Sequence, residues 1–174
     1  MEELLEIIDE NDNIIGHATY KEAHEKGLLH RASDVFVFKD DSYQEMLLNL
    51  RSKKMKYPGT LCNPGGHPKP GETPIETAKT ELQEEMFFEH QLPEELVFEK
   101  MLEENFRIDK EHTIITLYRV IYPGPFYNDP KEVEDFFFMK MDDLIKDIKD
   151  NPEKYSLFFR MMFAKYLKLL HSKI

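Results

Sequence analysis

Asn63-Pro64-Gly65-Gly66-His67-Pro68-Lys69-Pro70-Gly71-Glu72 leads directly into Thr73-Pro74-Ile75-Glu76-Thr77-Ala78-Lys79-Thr80-Glu81-Leu82-Gln83-Glu84-Glu85-Met86. The first stretch is a Gly/Pro-rich loop. The second has helical periodicity, with Ile75, Ala78, Leu82 and Met86 recurring at three- and four-residue spacing to form a core-facing stripe. Glu81, Glu84 and Glu85 stand at i, i+3 and i+4, so they share one helix face. They are expected about a third of a turn from the stripe, at the rim between core and solvent. Like charges at this spacing repel by a few tenths of a kcal/mol per pair, roughly, and no lysine stands among them. A divalent cation would convert that repulsion into binding. Mg²⁺ favours carboxylate oxygens and keeps waters that a phosphate can replace.

Working outward, Leu4 to Ile8 and Ile14 to Thr19 read as a β-hairpin around Asp9-Glu10-Asn11-Asp12-Asn13. Thr19 and Glu22 make a capping box and Gly27 a stop, which predicts a short helix over Tyr20 to Lys26. Asp34 to Phe38 and Glu45 to Leu50 read as partnered strands. Past the acidic helix, strands are expected over Val97 to Asn105, Thr113 to Ile121 and Asp135 to Met139. Helices are expected over Met141 to Ile148 and Tyr155 to His171, with Asn151-Pro152 between them. The order is that of an α+β protein. Phe136-Phe137-Phe138 and the stripe Leu157, Phe158, Met161, Met162, Tyr166, Leu169 read as packing surfaces. Either one offers leftover area for a homodimer face or an apolar substrate wall.

A chain of 174 residues fits one domain with a core of its own, here taken as residues 1–174. Its single cysteine rules out an intramolecular disulfide and suits a reducing compartment. The first residues lack the basic and apolar regions of a signal peptide, and no apolar run is long enough to span a bilayer. The expectation is a cytoplasmic protein. A net charge of −11 argues against nucleic acid and anionic membranes as partners. It leaves room for a small phosphorylated substrate, provided cations gather locally. Arg51-Ser52-Lys53-Lys54-Met55-Lys56 is such a gathering, just before the glycine loop.

The loop and acidic helix together resemble the Nudix box, G-x5-E-x7-R-E-U-x-E-E-x-G-U with U aliphatic. Gly66, Glu72, Glu81, Leu82, Glu84 and Glu85 fall at the matching positions, while Thr80 replaces the box arginine and Phe87 its late glycine. The resemblance implies a Nudix fold, a mixed β-sheet sandwiched between helices. It also implies Mg²⁺ or Mn²⁺ held by Glu81, Glu84, Glu85 and the Gly66 carbonyl, with Glu81 binding metal or orienting the attacking water. The activity implied is hydrolysis of a diphosphate linked to another moiety, often a nucleoside. Arg31, Arg51, Lys53, Lys54 and His67 are the candidate substrate contacts. Thr80 cannot form the family's ion pair with the loop glutamate, so a less rigid metal helix is expected. Phe87 predicts a different exit path for the chain. Glu103, Glu104, Glu111 and Glu134 are candidates for the general base.

A narrower resemblance points to the Nudix branch that contains type I isopentenyl-diphosphate isomerase. Leu29-His30-Arg31-Ala32, the Ser52-Lys53-Lys54 step and Gly66-His67-Pro68 carry it. It implies a second metal site from His24, His30 and His67, with Glu111 as the match to a later glutamate and Thr113 in place of its partner. A nitrogen-rich set of this kind suits Zn²⁺ or Mn²⁺. Those isomerases carry a cysteine directly before Gly-His, where this chain has Gly65; Cys62, five residues before His67, reads as a small buried hydrophobe. From the residues alone, His24 reads as solvated on an exposed helix and His30 as structural. His67, in the glycine loop, is the best placed to touch ligand or metal. Hydrolase is the leading reading, with an isomerase-like enzyme and a non-catalytic diphosphate-binding module as the alternatives.

Overall fold

The structure, a computed structural model, describes residues 4–172. Within them, nine strands and four helices follow one another as β1 (Leu4–Ile8), β2 (Ile14–Thr19), α1 (Tyr20–Lys26), β3 (His30–Phe38), β4 (Glu45–Arg51), β5 (Leu61–Cys62), β6 (Gly65–Gly66), α2 (Pro74–Met86), β7 (Glu99–Ile108), β8 (Glu111–Ile121), β9 (Val133–Lys140), α3 (Met141–Asp150) and α4 (Leu157–His171). The hairpin and α1 lie where the sequence put them. Thr19 and Glu22 close the capping box, and Gly27 ends the helix at φ 64°. Only a residue without a β-carbon takes that conformation cheaply.

β3 organises the sheet. It pairs in parallel with β8 along its whole length, from His30↔Thr113 to Phe38↔Ile121. The β1–β2 hairpin joins it at Ile7↔His30, and β6 joins at Ser33↔Gly66 and Asp34↔Gly65. β4 meets β3 at Phe38↔Met46 and carries β5 and β9. β3 thus begins at His30, four residues earlier than its apolar run suggests, because the parallel partner β8 continues the ladder past that run.

The two faces of β3 and β4 bury different helices, as strand alternation requires. Phe36, Phe38, Met46 and Leu48 pack on Phe159, Met162, Phe163 and Tyr166 of α4. Val35, Val37 and Leu47 pack on Ala78, Leu82, Met86 and Phe87 at α2. The result is the mixed sheet between helices that the sequence predicts.

Several local expectations change, among them the bounds of β7, expected over Val97 to Asn105, and of β8, expected from Thr113. Ile75 is 38% exposed in the first turn of α2, and Thr77 is buried in its place. Phe87 is buried at the end of α2, its N–H donating to the Gln83 carbonyl and its ring packed in the core. Phe88 N–H then donates to the Tyr127 carbonyl at 2.7 Å, so the altered exit is fixed by a large apolar anchor instead of a glycine turn. The last helix, α4, starts at Leu157, later than its apolar run suggests, because the Ser156 hydroxyl caps it; Tyr155 is buried outside it. No helix among the described residues is long and apolar enough to cross a membrane.

Candidate active site

A cavity of about 560 Å³ opens beside β6, between α2, the start of β8 and the N-terminus of α4. One wall is the acidic helix. β6 brings Gly66 so near α2 that a β-carbon there would sit 2.6 Å from the Glu81 carboxylate. A side chain at residue 66 would displace that carboxylate. Glu85 is buried; its carboxylate accepts hydrogen bonds from Gly65 N–H at 3.0 Å and Asn49 Nδ2 at 2.8 Å. Burial pushes its pKa up to about 7, against the opposing pull of those donors and Arg51. The three carboxylates are therefore not equally placed at the rim. Glu85 lies beneath it, while Glu84 is exposed and accepts from Lys69 Nζ at 2.6 Å.

The loop glutamate keeps a latch despite the missing arginine. Glu72 accepts from Thr80 Oγ1 at 3.1 Å and from Lys69 N–H at 3.0 Å. This corrects the expected loss of anchoring: a neutral hydroxyl takes the place of the ion pair.

The opposite wall gathers His24, His30 and His67, one ligand nitrogen from each, all within 4.8 Å of one another. His24 Nδ1 lies 2.8 Å from the Tyr20 carbonyl and His30 Nδ1 2.8 Å from the Leu28 carbonyl. A ring nitrogen facing a carbonyl must donate, which leaves Nε2 of the neutral His30 ring with its lone pair. His30 Nε2 is buried without a hydrogen-bond partner among the described residues, and His24 Nε2 lies 3.1 Å from Glu111 Oε2. Burial pushes His30 down to about 4, and burial with the neighbouring imidazoles holds His67 well below the usual histidine range. A neutral imidazole whose other nitrogen donates outward, as at His30, is the form that ligates a metal. The donor set thus fits a borderline divalent ion such as Zn²⁺ or Mn²⁺. His24 is packed on the Tyr20 ring at 4.0 Å, so it is not the solvated side chain expected.

The cationic side is narrower than the sequence suggested. Arg51, Lys54, Lys56 and Lys69 line the cavity. Lys53 is exposed and outside the lining. Arg31 is also outside, because Asp12 holds its guanidinium at 2.7 Å and Glu6 at 3.4 Å. Of the general-base candidates, Glu111 lines the cavity, whereas Glu103 accepts from Thr116 and Lys100, and Glu104 pairs with Lys165. Alternation along β8 turns Glu111, Thr113 and Ile115 to the cavity and His112 away.

Asp34 was not singled out by sequence. It lines the cavity against Gly65, and burial raises it to about 7. A lone acid heading the apolar run Val35 to Phe38 was the available signal. Asn49, in the apolar run of β4, was missed for the same reason.

The sequence pattern of the NUDIX domain matches residues 28–161. The chain belongs to the NUDIX family. Within that family it falls in the branch of the isopentenyl-diphosphate isomerases. It is 32% identical to isopentenyl-diphosphate Delta-isomerase of Serratia proteamaculans, across 91% of this chain and 88% of that one. Solved NUDIX-fold structures agree in architecture. DR0079 from Deinococcus radiodurans superposes with a TM-score of 0.72 at 17% identity, over 86% of this chain and 90% of that one. A MutT NUDIX hydrolase from Burkholderia pseudomallei superposes at 0.59, also at 17% identity, over 76% and 94%. Gly66, Glu81, Glu84 and Glu85 all lie inside the matched span.

Proposed function

We propose that this protein is a divalent-metal-dependent Nudix hydrolase cleaving a diphosphate linked to another moiety, often a nucleoside, in the cytoplasm. The carrying observation is the carboxylate set of α2, with Glu81 against Gly66 and Glu84 paired to Lys69, lining one cavity with Arg51 and Lys54. A bound Mg²⁺ or Mn²⁺ would neutralise the diphosphate and acidify a coordinated water. Glu81, Glu84, Glu85 and the Gly66 carbonyl would hold it. Asn49 and Gly65 N–H fix one carboxylate in place, and the Thr80–Glu72 latch fixes the loop that carries Gly66. The lining cations orient the anionic substrate. His24, His30, His67 and Glu111 would hold a second ion.

An isomerase-like activity is the second reading, favoured by the histidine cluster and by the named activity of the curated relatives. Against it, the residue before Gly66 is Gly65, with no thiol, and the second glutamate position is Thr113. Magnesium-dependent release of phosphate or monophosphate from a panel of diphosphates is expected. It should fall by at least about a thousandfold in Glu84→Gln/Glu85→Gln. Release that survives the double substitution would refute the hydrolase assignment. Diphosphate binding without turnover at any divalent ion would favour a non-catalytic module.

A further inference from the structure

Glu111 is shared by two neighbours. Its Oε2 lies 3.1 Å from His24 Nε2, and its Oε1 lies 2.8 Å from Lys56 Nζ. One carboxylate therefore joins the histidine cluster to the basic segment at the cavity mouth. The geometry makes Lys56 the outer member. Its side chain is 39% exposed against 19% for Glu111, and its ammonium reaches in past the rings of Tyr20 and Tyr57, at 5.6 and 5.3 Å from their centroids. Tyr20 in turn stacks on His24. The segment carrying Lys56 is tied at its base, where Arg51 Nε donates to the Lys56 carbonyl and Gly59 N–H donates to the Arg51 carbonyl. Backbone position is thus held while the long lysine stem keeps its rotamers.

A divalent ion among three imidazoles would stand within a few ångströms of this ammonium and would draw on the same carboxylate charge. Two cations then compete for one anion in a partly buried place, where screening is weak. We propose that Lys56 is a substrate-positioning residue switched by metal. Without an ion at His24, His30 and His67 it neutralises Glu111. When an ion binds there, Lys56 leaves Glu111 and turns to the anionic group held in the mouth by Lys54 and Lys69. The inference rests on the reading of the histidine cluster as a metal site, and it does not depend on the acidic helix.

Zinc titration of the full chain by calorimetry tests it, with Lys56→Met as the variant; the side chain is exposed enough for the fold to tolerate the change. Removal of the competing ammonium should tighten zinc binding about tenfold, a change that His67→Ala abolishes. Equal or weaker binding in Lys56→Met would overturn the proposal. In the wild type, acylation of Lys56 followed by peptide mass analysis should rise severalfold on zinc saturation, with Lys165 as reference. Protection, or no change, would contradict release. Affinity for methylenediphosphonate should increase with one zinc per chain, and Lys56→Met should lose that increase; a gain that persists refutes the positioning role. If zinc binds neither protein, the metal reading of the histidines falls together with the proposal. Magnesium-dependent hydrolysis through Glu84 and Glu85 is measured separately and is untouched by that failure.

Discussion

Asp34 Oδ1 lies 2.5 Å from the point that a β-carbon on residue 65 would occupy. The carboxyl of β3 fills the space that a side chain directly before Gly66 would need, and the Ser33 carbonyl closes the same space at 2.6 Å. Gly65→Ala is therefore expected to destabilise the protein by about 1–3 kcal/mol through overpacking. Asp34→Ala should relieve part of that cost, giving a double variant less destabilised than the sum. Urea unfolding of the four proteins measures both. A neutral Gly65→Ala would show that the strand pair yields easily.

Gly66 meets a different neighbour. Its absent β-carbon would strike the Glu81 carboxylate, the far end of a flexible side chain. Gly66→Ala should thus cost little stability but move the Glu81 carboxylate, a proposed metal ligand, by about an ångström, lowering magnesium-dependent turnover by roughly a hundredfold. Thermal unfolding and hydrolysis rates of one preparation separate the two effects. Full activity with an unchanged melting temperature would refute the proposed contact.

Glu85 gives the metal-free protein a pH dependence with a definite sign. Its pKa is raised in the fold from 4.5 to about 7, so the protonated form is the one the fold favours. Its contribution is complete below about pH 4.5 and is lost as pH rises through 7, on the order of 3 kcal/mol. Asp34, raised from 3.8 to about 7, acts in the same direction. Urea midpoints without metal should fall between pH 5 and 8, and less steeply in Glu85→Gln. On the proposed metal role, magnesium would bind the ionised carboxylate, so its stabilising effect should grow over the same interval. A midpoint that rises with pH would contradict the burial of Glu85.

Cys62 is buried beside Arg51 and Glu85, and burial pushes its thiol up to about 12. A thiol in that state is a poor nucleophile. Native protein should react slowly with a disulfide reagent until unfolded, and Cys62→Ala should keep its activity. Rapid native labelling together with loss of turnover in Cys62→Ala would assign this residue the acid role that Gly65 cannot fill.

Much of the fold was legible because its signals are local. The Thr19–Glu22 box, the stop at Gly27 and the core face of α2 from Ala78 to Met86 each follow from nearby residues. The glutamate face was legible for the same reason, since α2 alone fixes its spacing. The histidine cluster was only half visible. His24, His30 and His67 come from α1, β3 and the loop after β6, and their packing depends on β3 pairing with β6 and β8. Arg31 was misread because its acidic partners, Glu6 and Asp12, lie on the β1–β2 hairpin, 25 and 19 residues away. Asp34 was hidden by the neighbouring apolar run, whose strand character was clear but whose one polar member faces the cavity.

The most direct test of the central claim is hydrolysis in ¹⁸O-enriched water, followed by phosphorus NMR. The incubation contains magnesium and, in parallel, a nucleoside diphosphate derivative or isopentenyl diphosphate. The account predicts that one product phosphate acquires a single ¹⁸O and shows its isotope shift, and that Glu84→Gln/Glu85→Gln forms no such product. Isopentenyl diphosphate rearranged with both phosphates intact and unlabelled, and no labelled phosphate from any diphosphate supplied, would contradict it.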